Sequence, residues 1–152
     1  MDMNPAKIIP AVLNHSGSRV EKAAKIAELI RHSGGYRWVG VYDVGAEVAS
    51  IVAFSGPSAP TYPQFPATEG LTGSAIREKR TIVVGDVGSD PRYLTAFGST
   101  LSEIIVPVMD ETSGTVIGTI DVESERKNAF SAEDQVVLEE CARTARRLWS
   151  RP

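Results

Sequence analysis

The chain has 152 residues, 42% of them apolar and 23% charged, with a formal charge of -3. This is the size and balance of one water-soluble domain, and it gives no electrostatic case for nucleic acid or an anionic membrane surface; nor is any apolar run long enough to span a bilayer. The single cysteine, Cys141, excludes an internal disulfide and a cysteine-rich metal site and fits a reducing compartment, so a cytoplasmic protein with no cofactor and no metal is expected.

Residues 1–17, MDMNPAKIIPAVLNHSG, lack the basic start and apolar core of a signal peptide and read as an N-terminal extension ahead of a single domain over 18–150. SRVEKAAKIAELIRHSGG predicts a helix: Ser18 is its N-cap, Val20, Ala23, Ala24, Ala27 and Ile30 share a face, Glu21 and Lys25 pair, and Gly34 stops it. YRWVGVYDVG and EVASIVAFSG predict a hairpin of Tyr36 to Val44 and Val48 to Phe54 around Gly45. The proline-rich stretch 55–70 reads as a long irregular loop. GLTGSAIREKR predicts a short helix from near Leu71, and TIVVGDV a third strand over 81–87. DPRYLTAFGSTL reads as a loop or helical turn. SEIIVPVMD and TVIGTIDVESE form a second hairpin around ETSG, with Pro107 implying an edge or a bulge. The last element, FSAEDQVVLEECARTARRLWSR, has a capping box of Ser131 with Asp134 and a stripe of Val137, Leu138, Cys141, Ala145 and Leu148, giving a helix of about five turns. The order predicts an α+β fold: a central antiparallel sheet of about five strands with the N- and C-terminal helices packed on one face.

Asp121, Glu123 and Glu125 alternate, so an extended strand puts all three on one face. Two readings are open: a strand end running into water, or one wall of a pocket for a cation. Glu103 joins that face, absent a bulge, only when the hairpin loop has an odd number of residues. Grouped carboxylates favour an amine, which brings a charge and three N–H donors; a hard divalent cation calls for more oxygen ligands from turn-rich loops, and no such pattern is present. EGLTGS lacks the Lys of a phosphate loop, and His15 and His32 lie apart from any acid cluster. Tyr42 and Phe54 read as ordinary core.

The order of elements, with RWVGVY, EGLTGSAI, the apolar hairpin ending in DVES, and FSAEDQ, resembles a GAF domain over roughly 18–150. Within that superfamily it is similar to the small, free-standing free methionine-(R)-sulfoxide reductases. The resemblance implies a pocket with acids at Glu103, Asp121 and Glu123 and aromatic walls at Trp38 and Tyr62, while Glu125 stays solvated. It also places the reductases' cysteines on Thr72, on Ala96 and near Tyr62, where this chain has no thiol. Reduction of a sulfoxide by that route needs an attacking thiolate and a resolving thiol, and Cys141 reads as a small buried apolar residue. The expected function is therefore a non-catalytic, sensory or regulatory GAF domain that binds a small amine or amino acid. A divergent reductase is the first alternative. The second is an interaction module with a vestigial pocket, forming a homodimer through its terminal helices by the apolar face of 137–149, Trp149 included.

Overall fold

In the computed structural model, which describes residues 4–94 and 97–150, four helices surround a six-stranded sheet. The helices are α1 (Pro5–Asn14), α2 (Arg19–Gly34), α3 (Gly70–Glu78) and α4 (Ala132–Thr144). The strands are β1 (Trp38–Val44), β2 (Val48–Ser55), β3 (Gln64–Pro66), β4 (Ile82–Val84), β5 (Ser102–Met109) and β6 (Val116–Ser124). Every strand pairing is antiparallel, in the order β3-β2-β1-β6-β5-β4.

The sixth strand is β3, which lies inside the proline-rich stretch expected to be irregular. Its three residues pair with Val48–Ser50 at the outer edge of the sheet, where prolines cost no second ladder. The predicted third strand is shorter than 81–87, because a 3-10 turn at Val87–Ser89, capped by the Asp86 carboxylate, ends the extended run. Pro107 pairs with Thr119 but lies beyond the end of β4, so it sits on a local edge as expected, and a bulge follows it between Val108 and Met109.

Alternation along the strands separates two layers. Val39 and Val41 of β1, Ile104, Val106 and Val108 of β5, and Ile120 and Val122 of β6 point to one face and pack with α1, α2 and α4 in the main core. Ser18 caps α2, accepting the Glu21 N–H at 3.1 Å, and Gly35 ends it in the left-handed region at φ 64. The buried face of α2 runs through Ala23, Ile26, Ala27 and Ile30, while Val20 is 56% exposed. The segment expected to be an extension folds as α1: Asn4 accepts the Ala6 N–H at 3.0 Å, and Ala6 and Ile9 enter the core. Pro10, inside that helix, is what obscured its period.

α4 has the expected capping box but is shorter than five turns, closing in a 3-10 turn over Arg146–Trp149. Its apolar stripe is covered within the chain. Leu138, Cys141, Ala145 and Leu148 are in this chain's own core, and the Trp149 indole lies over Gly118 and donates to the Tyr42 carbonyl at 3.2 Å. Among the described residues no helix is long and apolar enough to cross a membrane.

Candidate functional site

The other face of the sheet is covered by α3 and by the segments on either side of it, and it carries the acids. Asp121 and Glu123 project from it two residues apart on β6, and Glu103 lies directly opposite Glu123 on β5. The connection 110–115 has an even number of residues, which by parity alone would turn Glu103 to the helical face. The bulge between Val108 and Met109 slips the register by one and returns it to the acid face. On the other side of β6, Trp38 pairs with Glu123, Gly40 with Asp121 and Tyr42 with Thr119. A Cβ at Gly40 would lie 2.2 Å from the Trp38 ring and 2.9 Å from that of Tyr42, so only glycine lets both rings flank Asp121.

Glu103, Asp121 and Glu123 are 5%, 6% and 0% exposed, and each places a carboxylate oxygen within 4.8 Å of the others. Burial raises the pKa of all three acids, since a desolvated carboxylate prefers to be neutral. Burial comes first for Glu103, followed by the charges of Asp121 and Glu123, and holds its proton well above the ordinary range. Asp121 is pushed up to about 6 against the opposing pull of a hydrogen bond from Glu103, and Glu123 up to about 8 against the pull of Thr100. The hydrogen bond between Glu103 and Asp121 favours the proton on Glu103 and the charge on Asp121. The Thr100 hydroxyl donates to Glu123 Oε1 at 2.7 Å. Asp121 Oδ1 and Glu123 Oε2 are buried with no hydrogen-bond partner, and no cation pairs with any of the three among the described residues. Glu125, in contrast, is exposed and pairs with Arg37 at 2.7 Å.

Above Glu103 and Asp121 lies a cavity of about 30 Å³, walled by Tyr42, Tyr62, Phe65 and Thr72. Of the residues expected at a pocket, Glu103, Asp121, Tyr62 and Thr72 line it directly, and Glu123 lies behind them. Trp38 is 1% exposed: Phe54 stacks on it at 6.1 Å, Phe97 tilts against it at 5.2 Å, and its indole donates to the Ser58 carbonyl. It therefore supports the Glu123 side and is not a wall of the cavity. Ala96 lies outside the described residues. Sequence reasoning missed Thr100, which no pattern announces. It also assigned Tyr42 to ordinary core, although alternation from Trp38 through Gly40 places it on the acid face; burial raises its phenol far above the ordinary range, and the three acids add to this.

These acids are the one group of three or more metal-ligating side chains among the described residues. A hard cation would find three carboxylates and hydroxyls already partly engaged, against the roughly six to eight oxygens that calcium takes. An ammonium, with three N–H donors, asks for what is there.

A family model for the GAF domain matches residues 18–147. The chain belongs to the GAF domain family. GAF domain-containing protein A of Dictyostelium discoideum is 28% identical over 131 residues, 86% of this chain and 80% of that protein. Two solved structures are similar over nearly the whole domain. The free methionine-R-sulfoxide reductase of Neisseria meningitidis, solved with its substrate, has a TM-score of 0.85 at 29% identity and covers 95% of this chain and 85% of its own. The type II free methionine-R-sulfoxide reductase of Thermoplasma acidophilum has a TM-score of 0.79 at 32% identity, covering 86% and 94%. In this GAF domain Cys141 lies on α4, packed with Ile104 and Val106 on the helical side of the sheet and thus across it from the acids. Burial, reinforced by Glu140, pushes its thiol up to about 12.

Proposed function

We propose that this GAF domain is a non-catalytic, sensory ligand-binding module, and that its acidic pocket takes a small amine-bearing molecule. The observation that carries this reading is the pair of buried, unpartnered oxygens, Asp121 Oδ1 and Glu123 Oε2, within a trio of acids that no cation among the described residues neutralises. Buried acids left this way are costly unless something supplies charge and donors. A protonated amine supplies both, and the Tyr42, Tyr62 and Phe65 rings give its carbon chain an apolar wall and its charge a favourable aromatic face. Binding replaces protons held by the trio with the ligand's ammonium, so the ligand stabilises the folded domain and its occupancy can be passed to a partner as a change in that stability. Thermal shift in amine-free buffer against simple alkylamines, amino acids and methionine sulfoxides tests this. At least one class should raise the melting temperature of the wild type, and the Asp121→Asn, Glu123→Gln double variant should lose the shift; a panel without effect on the wild type sinks the proposal.

The similarity to the two reductases favours a second reading, a divergent free methionine-(R)-sulfoxide reductase. A thiolate mechanism within one chain has only Cys141 to draw on, and the position of that thiol on the far side of the sheet supports the non-catalytic reading. Consumption of free methionine-(R)-sulfoxide in the presence of thioredoxin and reductant, surviving Cys141→Ser, would favour an enzyme that borrows its thiol.

A further inference from the structure

Resting on the reading of the trio as an amine site, we infer that the ligand is an organic cation without an α-carboxylate, and that Glu69 is the residue that rejects amino acids. Three independent features of the cavity lead there. Its volume of about 30 Å³ is room for one or two waters, hence for an ammonium head group entering alone rather than for an amine with a carboxylate beside it. Among the described residues its lining includes Glu69, Glu103 and Asp121 and no Lys, Arg or His, so a ligand carboxylate would find no cationic partner there. The remaining anion-attracting feature is the start of α3, whose first N–H groups have no intrahelical acceptor. An acidic residue, Glu69, already stands at that position. Glu69 is the N-cap of α3, its backbone carbonyl accepts the Gly73 N–H at 2.9 Å, its side chain makes no capping hydrogen bond, and the residue is exposed at the border of the cavity. The nearby cations are engaged elsewhere: Arg77 with the Thr68 carbonyl and the Ser74 hydroxyl, Arg92 with Asp90 and Glu78. A zwitterion would therefore bring its negative end against Glu69, while a plain amine would not.

Isothermal titration with 3-(methylthio)propylamine, with methionine, which differs from it only by the carboxylate, and with methionine methyl ester separates the possibilities. The amine is expected to bind at least tenfold more tightly than methionine, the ester to fall between them, and Glu69→Gln to narrow the gap between amine and amino acid by threefold or more. Methionine binding as tightly as the amine, or a gap that Glu69→Gln leaves unchanged, overturns the inference while leaving the amine site standing. Silence from all three ligands withdraws the amine site itself, and this inference with it.

Discussion

Replacing Glu123 by glutamine removes one of three buried carboxylates and keeps the side-chain oxygen that accepts from Thr100 at 2.7 Å. In the folded domain the Glu123 carboxyl holds its proton to about 8, against an ordinary value of 4.5, because burial and the neighbouring Asp121 charge disfavour its ionisation. The folded state therefore binds more protons than the unfolded chain between these values, and stability falls as pH rises through that window. The contribution is fully present below 4.5 and lost as pH passes 8, the reverse of an acid held in an ion pair. Asp86, Asp90 and Asp110 behave in the opposite way, their pKa values lowered from 3.8 chiefly by hydrogen bonds from Ser89, Arg92 and the Ser113 and Thr112 N–H groups, so their effects are complete before this window opens. The ceiling on the Glu123 effect is roughly 5 kcal/mol, and relaxation and water entry bring it to about 2–3 kcal/mol. For a domain of this length that is about 5–10 °C of melting temperature. Thermal unfolding in phosphate without amines should show Glu123→Gln melting higher than the wild type at pH 8.5 and level with it at pH 4.5. A variant less stable than wild type at pH 8.5, or a difference that does not change with pH, would refute the idea that this carboxyl is buried without compensation.

Three further outcomes follow from the packing. Ile9 of α1 is fully buried, so Ile9→Ala should cost about 2–4 kcal/mol in urea unfolding, a loss that a loosely attached extension would not show. Ser131→Ala removes the acceptor for the Asp134 N–H at 3.1 Å and should cost about 1 kcal/mol, with a smaller loss of helical signal at low temperature. Cys141 should resist iodoacetamide at pH 8 in the folded protein and react readily in urea; fast labelling without denaturant would contradict its placement in the core.

The sequence made legible what local patterns control. Ser18 and Ser131 announced helix starts because their side chains satisfy N–H groups within three residues, and strand alternation put Asp121 and Glu123 on one face. What it could not show depends on contacts made at a distance. Whether Glu103 meets those acids turned on a single bulge at Val108, which no residue type in VPVMDETSGTV dictates. β3 forms because Val48–Ser50 offers an edge to Gln64–Pro66, a stretch whose prolines argue for a loop when read alone. Pro10 hid α1, whose order comes from packing on α2 and α4 rather than from propensity. The apolar stripe of α4 was read correctly, but a stripe cannot say whether it covers its own sheet or another chain. Thr100 became part of the site only because the chain before β5 folds back over Glu123.

A crystal structure of the domain grown with 3-(methylthio)propylamine tests the central claim most directly. The amine nitrogen is predicted within about 3 Å of Asp121 Oδ1 and of a second carboxylate of the trio, with the chain against Tyr42 and Phe65. An amine bound elsewhere with these carboxylates untouched, or an anion lodged beside Asp121, would contradict it.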